Sequence, residues 1–218
     1  MMRELCSVPG ADALELDPAT IREEEIRVAG EYAGVRVRLE ARLAGARIPM
    51  QIDVGFGDAV TPRPERVDYP ALLDHPAPSV LAYPPEAVVA EKLEAMMTLG
   101  VTNSRMKDFY DVHVLAGSCR LEGEKLARAV RATFERRGTP LPQGRPLVLT
   151  RDFLASPERQ VQWKAFLRRG RLEALPDAGK LADGLYRFLG PVLEALSAGK
   201  AFLASWQPGG PWLLPPFG

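Results

Sequence analysis

Residues 34–58 alternate apolar and polar side chains with a period of two, and no other stretch constrains the fold as tightly. Val35, Val37, Leu39, Ala41 and Leu43 take one side, with Arg36, Arg38, Glu40 and Arg42 on the other. Successive side chains leave opposite faces of a sheet, so this run predicts a half-buried strand. Ile48, Met50, Ile52 and Val54, set against Pro49, Gln51 and Asp53, predict its partner. With Gly45-Ala46 as a two-residue turn, glycine stands where a type II′ hairpin wants it. That register pairs Leu43 with Ile48, Ala41 with Met50 and Leu39 with Ile52, and sets Asp53 opposite Arg38. All the apolar residues then share one side, as a buried face requires.

The flanks read differently. Leu5, Cys6 and Val8 resemble the end of an apolar element, and Asp17-Pro18 offers a helix cap followed by proline in the first turn. A proline-rich connection is expected over 61–78. Two helices joined at Gly100 are expected over 84–116, then helices over 124–137 (closed by Gly138), 156–169 and 177–203. Pro140-Leu141-Pro142 and Pro176 mark breaks. The proline- and aromatic-rich end is expected to be irregular. The division this implies is a sheet domain over 1–82, a helical domain over 83–205 and a tail over 206–218.

Composition narrows the function classes. The 28 basic and 28 acidic residues cancel, which argues against a generic polyanion binder and leaves room for a local basic patch. Cys6 and Cys119 lack disulfide-framework or zinc-site spacing and fit a reducing cytoplasm. The N-terminal residues carry no signal-peptide pattern, and no stretch approaches the roughly 20 apolar residues of a membrane span. A cytoplasmic enzyme or binding protein is expected.

Three places carry candidate chemistry. Asp53 is a strand carboxylate just before Gly55-Phe56-Gly57-Asp58. A carboxylate fixed on a sheet can hold a metal or accept a proton, but a cross-strand ion pair with Arg38 is the commoner arrangement. The two glycines suit turn geometry and lack phosphate-loop spacing. On a helical wheel of 86–99, Lys92 falls inside the apolar arc of Val88, Val89, Leu93, Met96 and Leu99. Glu91, Glu94 and Thr98 lie opposite. A lysine placed there either snorkels or meets an anion, such as a phosphate or a carboxylate. The third place is Asn103-Ser104-Arg105-Met106-Lys107-Asp108-Phe109-Tyr110-Asp111. Asn103 or Ser104 can cap a helix, Asp108 and Asp111 share a face, and Lys107 and Asp111 are neighbours one turn apart. Arg105 points towards the apolar side. A network of Lys92, Arg105 and an aspartate would place both cations beside carboxylates.

The remaining polar groups say less. His113 reads as packed, His75 lies in a loop, and neither cysteine shows an activating neighbour. Arg128, Arg131, Arg136 and Arg137, then Lys164, Arg168, Arg169 and Arg171, read as solvated basic faces with nucleic-acid contact as the rarer alternative.

Three segments, Gln51-Ile52-Asp53-Val54-Gly55-Phe56-Gly57-Asp58, Tyr83-Pro84-Pro85-Glu86 through Ala90-Glu91-Lys92-Leu93, and 103–111, follow one another in the order of a known family. Over roughly residues 10–140 the chain resembles the AbiEii/AbiGii toxin-like nucleotidyltransferases. The resemblance implies an α+β fold, with part of a polymerase-β-like mixed sheet followed by a helical domain. It implies a toxin of a bacterial toxin–antitoxin or phage-defence system that moves a nucleotide from a nucleoside triphosphate to an acceptor such as RNA. By position Asp53 matches the later active-site carboxylate and a Mg2+ ligand, and Lys92 the lysine expected on nucleotide phosphates. Asp108 and Asp111 match the last motif, with Arg105 and Lys107 as substrate-binding charges. A cognate antitoxin is an implied partner.

One departure stands out. The family carries an earlier Gly-rich segment and an aspartate pair on a strand, whereas residues 1–50 contain no Asp-x-Asp. Two-metal transfer needs ions about 3.5–4 Å apart held by several carboxylates. Asp53 alone is not expected to hold them, so a late-called start, a truncated gene or a loss of catalysis is expected. A non-catalytic remnant that binds nucleotide, RNA or antitoxin is the alternative function. An aromatic tail that binds a partner is a third.

Overall fold

The alternating run forms the central strand and one edge strand of a three-stranded antiparallel sheet in the computed structural model, which describes residues 2–8, 13–28, 32–56, 60–72, 74–172 and 177–215. Gly57, Asp58, Pro176 and 216–218 fall outside the described residues. The chain divides into two compact units, Met1–Asp58 and Ala59–Gly218, so the expected boundary at 82 falls inside the second.

In the first unit a short helix α1 (Met2–Leu5) precedes β1 (Glu15–Val28), β2 (Tyr32–Leu43) and β3 (Ala46–Gly55), with β2 in the centre. Ile21, Val37 and Leu39 are buried together, and Met2, Cys6, Leu16, Val35 and Met50 pack against them. The hairpin register differs by two residues from the one expected. Leu43 pairs with Ala46, Ala41 with Ile48, Leu39 with Met50, and Asp53 faces Arg36. The turn is Ala44-Gly45, and both residues have positive φ, 46° and 85°. Positive φ at both positions is the type I′ geometry, whose twist matches that of the strands. A shift of two keeps every side chain on its face, so the apolar pattern cannot choose between the registers.

Asp17-Pro18 does not open a helix. The register of β1 on β2 slips between Asp17 and Arg22, a bulge. There Asp17 Oδ1 accepts from the Ala19 amide at 3.0 Å, while Thr20 Oγ1 donates to the Asp17 carbonyl and accepts from the Glu40 amide. Side chains take over the backbone pairing that the extra residues interrupt.

The second unit begins with a hairpin of β4 (Glu65–Asp68) and β5 (Ser79–Ala82), so the proline-rich connection contains paired strands. Then come α2 (Pro85–Leu99), a 3-10 turn at Gly100–Thr102, α3 (Met106–Ser118), β6 (Leu121–Glu122) and α4 (Gly123–Arg137). A 3-10 turn at Leu147–Leu149 leads into α5 (Arg151–Leu154), α6 (Pro157–Gly170), α7 (Ala178–Ser197), β7 (Ser205–Trp206) and β8 (Trp212–Leu213). Proline occupies the first turn of α2 and of α6, where its missing N–H costs nothing. Gly138, at φ 63°, closes α4. The last long helix ends at Ser197, short of the expected 203.

Helix α7 is the spine of the core. Leu181, Leu185, Phe188, Leu189 and Val192 are buried at helical spacing, in one cluster with Leu93 and Met96 of α2, Phe109 of α3 and Phe134 of α4. Two short strands, β7 and β8, run through the described part of the tail. Trp206 pairs with Leu121 and with Trp212, is 1% exposed, and donates from Nε1 to the Ala116 carbonyl at 2.7 Å. Trp206 therefore faces inward, and Trp212 is half-buried beside it. The fold is α+β, and every strand pairing among the described residues is antiparallel.

Candidate functional site

The site grows from two facing helices. α2 carries Lys92, and α3 presents Asp108 and Asp111 one turn apart. Lys92 Nζ lies 3.3 Å from Asp108 Oδ1 and 2.5 Å from Asp111 Oδ2. Its side chain keeps 18% of its exposure and Asp108 only 3%, so the lysine meets anions rather than snorkelling away. Lys107 Nζ closes on the same Asp111 oxygen at 2.5 Å, as its spacing predicts. Arg105 Nε lies 3.0 Å from Asp108 Oδ2. The angle there is poor, and Asp108 Oδ2 is buried without a hydrogen bond. The expected network of Lys92, Arg105 and an aspartate is therefore present, with one correction: the Arg105 side chain is 54% exposed and stands at the rim.

The start of α3 is capped differently from expectation. Asn103 is fully buried, and its Oδ1 accepts from the Arg105 amide at 2.8 Å, one position before the helix proper. Its Nδ2 has no partner among the described residues. This turn sets the direction in which residues 105–108 enter the helix.

Burial pushes the Asp111 carboxyl up, but the bonds from Lys107 and Lys92 outweigh it and hold the group below the usual carboxylate range. Asp111 is thus a fixed negative charge at neutral pH and a weak proton acceptor. His113, one turn from Phe109, is held below its ordinary value by burial and stays neutral, a packed histidine.

Residues 104–108 line one side of a pocket of about 640 Å³, and α6 supplies the other through Gln162, Phe166 and Arg169. Sequence reading missed this wall. Positions 162, 166 and 169 do fall on one helical face, but nothing in the sequence says that the face looks at α3. Two further expectations change. Glu94 is buried, not solvent-facing, and Arg137 is not on a solvated face. Arg137 donates to Glu91 and Glu94, whose second oxygen accepts from Thr98 and Thr139. This pairing pins α2 to α4 beside Lys92.

Asp53 belongs to the first unit, and its partners there are specific. Arg36 grips it with a fork, Nε to Oδ1 at 2.7 Å and Nη2 to Oδ2 at 2.9 Å, while Gln51 donates to Oδ2 at 3.3 Å. The Arg36 hydrogen bond holds its carboxyl below the usual range. Cross-strand pairing thus involves Arg36, not Arg38, as the corrected register requires. Arg38 instead pairs with Glu24.

A divalent metal would supply charge compensation to a nucleotidyl transfer. The described residues do not fit one. Both Asp53 oxygens accept from Arg36, cations ring Asp108 and Asp111, and no three metal-capable side chains come together among the described residues.

No helix among the described residues is long and apolar enough to cross a membrane. No curated protein and no solved structure matches the chain. The family described as nucleotidyl transferase AbiEii toxin, type IV TA system, matches residues 2–185. That span runs past the three motifs and takes in α6, so the pocket's second wall lies within the matched sequence. With the Lys92–Asp108–Asp111 group and its pocket inside a match over most of its length, the chain belongs to the AbiEii nucleotidyl transferase toxin family.

Proposed function

We propose that the chain is the toxin of a bacterial toxin–antitoxin pair, binding a nucleoside triphosphate at the α2–α3 group and passing its nucleotidyl group to a hydroxyl of an acceptor such as RNA in the cytoplasm, with the bond between the α- and β-phosphates broken and pyrophosphate released. The observation that carries this reading is Lys92 held between Asp108 and Asp111 beside a pocket rimmed by Arg105 and Lys107. Transfer at phosphorus depends on placement and on compensating charge at the phosphoryl oxygens. Lys92, Arg105 and Lys107 outnumber Asp108 and Asp111 by one, and Arg169 across the pocket adds another cation. An anionic ligand is the complement of such a site. Asp108 and Asp111 keep the Lys92 ammonium from wandering, so it is pre-aimed when a phosphate arrives. A cognate antitoxin completes the pair.

A second reading is binding of nucleotide, RNA or antitoxin without transfer. It is favoured by the engagement of both Asp53 oxygens by Arg36. One experiment separates the two. The chain is incubated with Mg2+, α-labelled nucleoside triphosphates and bulk RNA, and triphosphate binding is followed in parallel by calorimetry. Label transfer that falls at least about a hundredfold in Lys92→Ala, as the loss of a transition-state charge contact predicts, supports the enzyme. Binding sensitive to Lys92→Ala without transfer supports the second reading. Neither signal removes both. An Asp53→Ala variant that transfers as well as the wild type excludes the strand carboxylate from the chemistry.

A further inference from the structure

The α6 wall holds a polar arrangement that the transfer reading leaves unused. Arg159 is only 7% exposed, yet no carboxylate pairs with it among the described residues. Its guanidinium donates to the Val101 carbonyl, lies 4.9 Å from the Phe153 ring centre, and donates to Gln162 Oε1 at 2.7 Å. Burying a guanidinium away from any acid is costly unless its donors are all put to use. Here one of them fixes an amide. A guanidinium can only donate, so the oxygen of Gln162 must face it, and the amide NH2 is turned away.

Gln162 lines the pocket, so a donor is presented to whatever enters. On the same face Phe166 follows after one turn and Arg169 after two. Seven residues of helix span roughly 10 Å. Donor, flat apolar surface and cation thus succeed one another over that length. On the opposite wall Asp108 Oδ2 is buried 3.0 Å from Arg105 Nε, whose exposed guanidinium stands at the rim. A nucleotide presents the complementary series: acceptors on the base edge, a flat apolar body with sugar hydroxyls, and an anionic phosphate.

We propose that α6 reads one nucleotide, with Gln162 Nε2 donating to an acceptor on its base and Arg169 pairing with its phosphate, while Arg159 is the positioning residue that sets the amide. This rests on the nucleotide-binding reading above and adds base selectivity to it. A donor placed at the base position that carries a carbonyl in uridine and guanosine and an amino group in cytidine and adenosine favours the first pair. The nucleotide is either the free triphosphate or the 3′ residue of an RNA strand; the chemistry recognised is the same.

The test is calorimetric titration of the full chain with the four nucleoside triphosphates, inorganic triphosphate, and four short single-stranded RNAs that differ only at the 3′ residue. Gln162→Glu keeps the Arg159 partner and replaces the donor by an acceptor. It is expected to shrink the keto-over-amino affinity ratio about three- to tenfold while inorganic triphosphate binds as before. Gln162→Leu, which also lacks the donor, is expected to shrink it alike. Arg169→Ala is expected to weaken inorganic triphosphate and all four nucleotides together, leaving the ratio intact. Selectivity seen with the triphosphates identifies the donor nucleotide, and selectivity seen with the RNA ends identifies the acceptor. If the wild type binds and Lys92→Ala weakens it, but neither Gln162 variant moves the ratio, the α6 assignment is overturned and the nucleotide reading stands. If the wild type binds no nucleotide at all, both fall.

Discussion

At the scale of residues, the site depends on how few charges it isolates. Lys92 touches both aspartates, and Asp111 also takes Lys107, so no member of the group is buried alone. This gives Asp111 a definite pH signature. Its folded carboxyl titrates below its unfolded value, so its stabilisation is complete above the ordinary carboxylate range and is lost as pH falls through the lowered value. The melting-temperature gap between wild type and Asp111→Asn should therefore narrow between about pH 6 and about pH 3. A gap that stays constant over that interval would mean the carboxylate is not stabilised by its two lysines. The sequence made Lys92 conspicuous because a cation on an apolar arc needs a partner. It could not do the same for Glu94 or Arg137, since each looks ordinary on its own helix and becomes buried only when α2 and α4 meet.

Among the elements, the β2–β3 hairpin illustrates how turn chemistry overrides pattern. The alternation of Val35 to Val54 specifies faces, but a slip of two residues leaves faces unchanged, and the turn alone decides the pairing. The geometry adopted places Ala44 at φ 46° and Gly45 at φ 85°. Asparagine tolerates positive φ better than alanine does, so Ala44→Asn should raise stability by about 0.5–1 kcal/mol. Gly45→Ala should lower it by a similar amount, although the added methyl would meet open space. Urea midpoints of both variants check the pair, and a destabilised Ala44→Asn would contradict the type I′ assignment. The same register moved Asp53 from Arg38 to Arg36, so an error of one hairpin step changes which residues are thought to form a site.

For the molecule as a whole, the C-terminal aromatics are the largest reversal. Trp206 lies 4.9 Å from the Phe188 ring centre and 5.3 Å from that of Trp212, and the Ala116 carbonyl takes its indole N–H. The Gly209 amide donates to that same carbonyl, so the tail closes over α3 and α7. Gly123 permits the approach, because a methyl there would stand 2.6 Å from the Ala204 carbonyl oxygen. Trp206→Ala should cost about 3–5 kcal/mol in chemical denaturation, the range for emptying a buried aromatic site. A loss under about 1 kcal/mol would show that the tail is an appendage after all.

Local rules settle whatever depends on near neighbours, and the sequence alone therefore determined the helices of 85–137, the faces of the β2–β3 hairpin and the need of Lys92 for an anionic partner, while the α+β class came with the family resemblance. Proline at helix starts, glycine at helix ends and apolar periodicity are short-range signals with short-range causes. Tertiary structure decided what depends on distant segments: the hairpin step, the burial of Arg137 against Glu91 and Glu94, the docking of Trp206, and the α6 wall facing α3. These pairings join residues far apart in the chain, and only packing, by removing both partners from water together, selects them.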